Sequence, residues 1–356
     1  MHNSLSLLSP VTIGDIELKN RVVMAPMTRN RASADGMPNE LMVQYYADRA
    51  QAGLIVAEGT WPVVTGQAYC RQPGIQSEEQ VLAWKKVTDA VHANGGKIVL
   101  QVMHAGRIGS NKIKPAGVET VAPSSIQAHG ELYTDQAGMQ PFDMPRELST
   151  SDVQLVIEEH RVAAENAKLA GFDGVELHCT SGYLPMQFLC SGTNHRTDEF
   201  GGSVENRARF AADCLKAMAS VFGSGRVGLR MNPGNAFNDT QDDDSAGSHI
   251  ELLRQIAPLN LAYLHIMRAP VEHIDAFKLA KTHFSGSIIL NDNFDSDAAN
   301  QAISAGQGDA VSFARHFIAN PDLVYRIKER IPLTRFDRKT LYTPGEKGYN
   351  DYEKAV

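Results

Sequence analysis

The stretch DGVELHCTSGYLPMQFLCSGTNHRTDEFGGSVENRARF, residues 173–210, decides the fold. An apolar run closes at Glu176–Leu177. His178 follows at once, and Tyr183 sits five residues on, behind Gly182. Polar groups hung on the exit of a buried strand are what a parallel α/β barrel presents at its C-terminal face, where such barrels carry their chemistry. Position alone therefore makes His178 and Tyr183 candidate active-site residues. The GGSVENRARF segment reads as a helix entry, with Ser203 as cap and Asn206 and Arg207 tying neighbouring loops.

Working outward, the same alternation of apolar run and helical pattern recurs. It predicts strands at 21–26, 53–59, 97–103, 173–178, 226–231, 262–267, 287–291 and 309–314. Helical patterns lie between them, at 39–52, 78–94, 150–170, 203–222, 248–258, 271–282, 297–305 and 320–330, with Ser77, Ser149 and Asp297 as expected caps. Near-continuous apolar strands with helices between them imply a parallel sheet covered on both faces. Eight such units imply a closed (β/α)₈ barrel, a TIM barrel, formed by residues 1–356 as one domain. A doubly wound open sheet is the alternative, but no G-x-G-x-x-G follows a strand. Two excursions break the spacing. VTIGDIELKN reads as a hairpin turning at Gly14–Asp15 and closing the barrel bottom. Residues 104–149, rich in Gly, Pro and Ser, form a long insertion after the third strand, where substrate pockets are built.

Composition narrows the function. Apolar residues make up 43% of the chain, ample for a core, and the net charge of −7 argues against a nucleic-acid partner. No apolar run reaches the roughly 18–20 residues of a membrane span. MHNSLSLLSP lacks the basic start and apolar core of a signal peptide, so a cytoplasmic location is expected. Four cysteines without a paired framework read as reduced thiols; Cys179, beside His178, is either packed or reactive. The histidines show no zinc-like spacing. Asp242-Asp243-Asp244 reads as a solvated loop, so no metal is expected.

The strand exits gain meaning when taken together. They carry Pro26-Met27-Thr28, then Ala57-Glu58-Gly59-Thr60, then Gln101 and His104, then His178, Ser181 and Tyr183. Arg230 and Asn232, Asn291, and finally Ala314-Arg315 complete the set. A hydroxyl, an amide, an imidazole and a guanidinium converging on one mouth suit a planar cofactor with a polar edge. The last two exits are where barrels bind phosphate, and Arg315 supplies charge for it. Each has a plainer reading as well: Arg230 as a buried structural arginine, Gln101 as a loop cap, Thr28 as an ordinary loop hydroxyl, His104 as a structural histidine.

At these residues the chain resembles the old yellow enzyme family of flavin-dependent ene-reductases. The likeness runs through NRVVMAPMTRNRA, AGLIVAEGT, EQVLAWKKVTDAVHANGGKIVLQVMHAGR, VAPSSI, PREL, the 171–210 segment and FIANPDLVYRI. The resemblance implies non-covalent FMN, reduction by NAD(P)H, and hydride transfer to the activated C=C bond of a small unsaturated substrate. It implies that Pro26, Met27 and Thr28 line the flavin, with Thr28 at its O4 edge. Ala57 touches it by its backbone, and Gln101 and Arg230 bond the pyrimidine edge. Asn293 binds the cofactor, and Ala314 and Arg315 hold its phosphate. It assigns His178 as donor to the substrate carbonyl, Tyr183 as proton donor to Cα, and Tyr69, Met103 and Tyr349 to the pocket wall.

Four positions depart from the family pattern. Ser181 stands where a second carbonyl donor, His or Asn, is usual; a hydroxyl reaches less far. Met103 replaces a frequent aromatic, Asp292 a usual glycine near the phosphate, and Ala314 another glycine. Ser181 and Met103 favour a specialised family member that performs a substrate-specific reduction, desaturation or isomerisation. Asp292 raises the alternative of a flavin-binding barrel without turnover.

Overall fold

The computed structural model describes residues 6–355. Eight strands form a closed parallel barrel: β1 (Val22–Met24), β2 (Leu54–Thr60), β3 (Ile98–Val102), β4 (Gly174–Cys179), β5 (Val227–Met231), β6 (Tyr263–Met267), β7 (Ser287–Asn291) and β8 (Ala310–Phe313). Each pairs with the next in the chain, and β8 closes on β1 through Val311↔Val22. The expected barrel is thus present, every predicted strand included. Nearly every strand residue is buried, because helices cover the outside and side chains fill the inside.

Eight main helices lie between and after the strands: α1 (Glu40–Asp48), α2 (Glu78–Ala93), α3 (Thr150–Leu169), α4 (Val204–Phe222), α5 (Ser245–Ile256), α6 (Ala276–His283), α7 (Ser296–Ser304) and α8 (Leu323–Glu329). Local chemistry starts them where the sequence indicates. Ser77 and Ser149 each close a capping box, with Gln80 and Asp152. Ser203 accepts from the Asn206 amide, as expected. Asp295, and not Asp297, caps α7, accepting from the Ala298 amide at 2.8 Å; Asp297 falls inside the first turn.

The hairpin is present as Val11–Ile13 against Ile16–Leu18, turning at Gly14. Gly14 has φ +56°, and a Cβ there would sit 2.3 Å from the Gly225 carbonyl, so both the turn and the close approach require glycine. Ile13, Ile16 and Leu18 cap the barrel bottom against Val23, Leu54, Val56, Val99 and Ile289. With the N-terminal end plugged by hydrocarbon, chemistry is confined to the opposite face. There the 104–149 insertion folds over the mouth, with its own hairpin at Glu131–Thr134 and Gly138–Pro141. The C-terminal tail returns to the same end. Arg29 donates to the carbonyls of Leu341 and Gly348, and Arg31 to those of Thr340, Leu341 and Lys347.

Candidate active site

β4 and its exit loop carry the candidate pair, His178 and Tyr183. Strand pairing sets His178 opposite Arg230 and Arg230 opposite His265. The His178 ring packs edge-on against Tyr183, centroids 4.9 Å apart. Its Nδ1 is buried with no hydrogen-bond partner in the protein. A buried polar atom left unpaired is costly unless a ligand satisfies it. Burial, with Arg230 beside it, holds the imidazole down to about 3, so it is neutral at physiological pH. Tyr183 is held by a 2.7 Å contact between its hydroxyl and that of Tyr69. Burial, with Tyr69 close by, raises it well above an ordinary phenol, so it stays protonated. Its loop is anchored by Gln187, which donates to the carbonyls of Ala105 and Gly182 and accepts from the Arg107 amide.

Ser181 lies on the same loop, half-buried, with φ +57°. Its carbonyl accepts from Asn238 Nδ2 at 2.7 Å. Left-handed backbone is uncommon for serine and several-fold easier for asparagine. The departure from the pattern is therefore also a backbone cost.

Behind these residues the barrel holds a polar layer. Gln101 Nε2 donates to Glu176 Oε1 at 2.8 Å, and Glu176 Oε2 meets His265 Nδ1 at 2.8 Å. Arg230 Nη1 lies 2.6 Å from His265 Nε2, and Nη2 lies 2.8 Å from Asn291 Oδ1. Ser312 Oγ bridges His265 and Asn291, 2.7 Å from each. Sequence reading named Gln101, Arg230 and Asn291 at the exits but missed Glu176, His265 and Ser312. A lone polar residue inside each of GVELH, YLHIM and AVSF was the available signal.

The remaining expected residues fall around this layer. Pro26, Met27 and Thr28 are half-buried after β1. Ala57 is fully buried beside a shift in strand register between Ala57 and Thr60, which leaves backbone groups outside the ladder. Asn293 and Arg315 are exposed at the β7 and β8 exits, with Ala314 half-buried. Asp292, at φ +80°, points at Arg315, 3.5 Å away. His104 is structural, as its plainer reading had it: buried, it accepts from the Gly106 amide and packs against His160.

Two expected wall positions are closely packed in this structure. Tyr349 is 0% exposed and stacks on Tyr45 at 4.0 Å, with Arg29 and Arg31 over its ring. It builds the packing that anchors the tail. Tyr342, seven residues earlier, is 60% exposed. Met103 is also covered, packed where a Gly59 Cβ would be and in one apolar cluster with Tyr183. Tyr69 remains at the site, half-buried against Tyr183.

All four cysteines are free and buried, and burial pushes Cys179 up to about 12, so it is packing. Among the described residues no cluster suited to a metal exists, and no helix is long and apolar enough to cross a membrane. The acidic run is spent on structure: Asp242 and Asp243 accept from Ser191, and Asp244 caps α5.

The residues present fit a flavin mononucleotide. They offer a guanidinium and an amide on one layer, an unpaired imidazole nitrogen at the same mouth, and a cation at the β8 exit; Asp292 is a misfit. Comparison with known proteins agrees. The profile of the NADH:flavin oxidoreductase / NADH oxidase family matches residues 6–334. A probable flavin mononucleotide-dependent alkene reductase of Leishmania infantum is 39% identical, covering 97% of this chain and 96% of its own. 12-Oxophytodienoate reductase 1 of Oryza sativa subsp. japonica is 37% identical, over 98% and 93%. Among solved structures, morphinone reductase in complex with tetrahydroNAD superposes with a TM-score of 0.94 at 39% identity, covering 98% of both chains. The old yellow enzyme homologue from Zymomonas mobilis gives 0.94 at 37%, over 98% and 99%. With site and sequence agreeing along nearly the whole length, the chain belongs to the NADH:flavin oxidoreductase / NADH oxidase family, the FMN-dependent old yellow enzymes.

Proposed function

We propose that this family member reduces the C=C bond of a small α,β-unsaturated carbonyl compound, with His178 and Tyr183 as its reacting side chains. One observation carries the reading: a neutral, buried imidazole with an unpaired nitrogen packs edge-on against a protonated phenol. When bound, FMN would supply the hydride-transfer chemistry between NAD(P)H and the alkene carbon. The chain's own residues do the rest. His178, a neutral imidazole at physiological pH, donates its N–H to the carbonyl oxygen and stabilises the charge that develops there. Tyr183 gives the proton to the neighbouring carbon, and Tyr69 holds its hydroxyl in place. Thr28, Gln101 and Arg230 orient the ring system; Asn293 binds the cofactor, and Ala314 and Arg315 take its phosphate. The four buried thiols accord with work in the cytoplasm. The tail clamped by Arg29 and Arg31 supports one domain acting as a unit.

Ser181 favours a narrower version of this reading. With one carbonyl donor fewer, the enzyme is tuned to a substrate that brings its own contacts. Separate measurement of the half-reactions tests the assignment. Tyr183→Phe should leave flavin reduction by NAD(P)H intact and slow reoxidation by a cyclic enone about 10²-fold or more, the worth of a general acid. Equal slowing of both would make Tyr183 a structural residue.

A further inference from the structure

The interior layers of such a barrel are ordinarily bulky and apolar. Here six consecutive strands, β3 to β8, contribute Gln101, Glu176, Arg230, His265, Asn291 and Ser312 to one buried hydrogen-bonded layer. Burying an ion pair this deep gives stability little, and apolar replacements of similar volume would often do as well. The layer therefore calls for a reason other than stability, and its wiring supplies one.

A carboxylate only accepts. Glu176 therefore receives the amide N–H of Gln101 on one oxygen and the Nδ1–H of His265 on the other, which fixes the direction of both. His265 Nε2 is then left as a lone pair for Arg230 Nη1, 2.6 Å away against 3.0 Å from that nitrogen to Nδ1, and it faces Ser312 Oγ at 2.7 Å. Burial, with Arg230 beside it, holds His265 down to about 4, so the imidazole is neutral. Burial works to raise Glu176, but His265, Arg230 and Gln101 outweigh it and keep it ionised. The layer thus carries one positive charge at Arg230 and one negative charge at Glu176, joined by a neutral histidine.

We propose that Glu176 is a positioning residue which, through His265 and Gln101, aims the two side chains at the flavin's pyrimidine edge and offsets the charge of Arg230, so setting the reduction potential of the bound flavin. The inference rests on the placement of Gln101 and Arg230 at that edge. A reduced flavin is richer in negative charge than an oxidised one, so a neighbouring carboxylate disfavours reduction and a guanidinium favours it.

The test is the two-electron potential of FMN on the purified holoprotein. Glu176→Gln keeps the shape and removes the charge. It should favour reduced over oxidised FMN at least tenfold, an upward shift of about 30 mV. Arg230→Ala should move the potential downward. If Arg230→Ala leaves it unchanged, the placement at the flavin is wrong and the inference falls with it. A shift in Arg230→Ala with none in Glu176→Gln overturns the inference alone. The wild-type protein gives a reading that does not depend on either variant folding. In ¹⁵N-histidine spectra, His265 should be the neutral Nδ1–H tautomer from pH 5.5 to 8. An imidazolium or an Nε2–H tautomer at pH 7 would overturn the wiring.

Discussion

Single residues decide how good a catalyst and how good a flavin binder this barrel is. Ser181 occupies a left-handed backbone position and supplies a short hydroxyl where an amide would reach further. Ser181→Asn should raise turnover of simple cyclic enones by about tenfold to a few hundredfold if it restores a carbonyl donor. It should also stabilise the fold by about 1 kcal/mol or less, because asparagine tolerates that φ better. Steady-state kinetics and urea melts read the two effects separately; a gain in stability with no gain in turnover would support a substrate-specialised pocket. Asp292 combines a positive φ with a carboxylate directed at Arg315, and both groups are largely exposed. A phosphate held by Arg315, as proposed above, would compete with Asp292 for that cation. Asp292→Gly should lower the FMN dissociation constant about two- to tenfold, in keeping with the worth of one exposed pair, and the gain should shrink in high salt. Asp292→Asn separates charge from backbone; equal affinity in all three proteins would show that Arg315 does not meet the phosphate. Neither effect was legible in the sequence beyond the bare substitution. A one-letter code shows that serine replaces a donor but not that its backbone is left-handed. It likewise cannot say that Tyr349 packs inward and Tyr342 lies exposed, because the tail has no periodicity to orient it.

The regular elements were far more legible than the loops over the mouth. Strands and helices announce themselves by period and by caps such as Ser77 and Ser149, so all eight βα units were found within a few residues. The short strands of the 104–149 insertion carry no such pattern, and its seating on the barrel is a matter of side-chain contacts from distant loops. Arg107 is the main one. Its guanidinium donates to the Ile126 carbonyl within the insertion and to those of Asn238 and Asp239 on the β5–α5 loop. Asn238 then holds Ser181, and Asp239 accepts from the His129 amide. Three loops are thus joined at one buried cation. Arg107→Ala should loosen all three together, costing about 1–3 kcal/mol for the carbonyls left unpaired. Limited proteolysis should then cut within the insertion, and KM for the enone should rise more than FMN affinity falls. If cleavage stays confined to the chain ends, Arg107 is not the clamp.

At the scale of the whole molecule, buried titratable groups govern the response to acid. His160, His178 and His265 are held down to about 4, about 3 and about 4, chiefly by burial, and His104, His249 and His316 are shifted the same way. Each stays neutral in the folded chain while its unfolded counterpart protonates near 6.5. Their contribution is present above pH 6.5 and is lost as pH falls toward 4. Glu58 and Glu159 work in the opposite sense. Burial raises both to about 7, so in the folded chain they hold protons that the unfolded chain releases above about 4.5. Between pH 4.5 and 6.5, six histidines against two carboxyls leave up to about four protons taken up on unfolding. Stability should therefore rise with pH across that window, by up to roughly 5 kcal/mol per unit where all four titrate fully. Urea midpoints at pH 5.0 and 7.5, at constant ionic strength, measure it. The midpoint should be lower at pH 5.0, and His160→Phe should reduce the difference, because His160 faces Phe210 and His104 in the wall and touches nothing at the flavin end. A midpoint that is flat or higher at pH 5.0 would mean that the carboxyls outweigh the histidines.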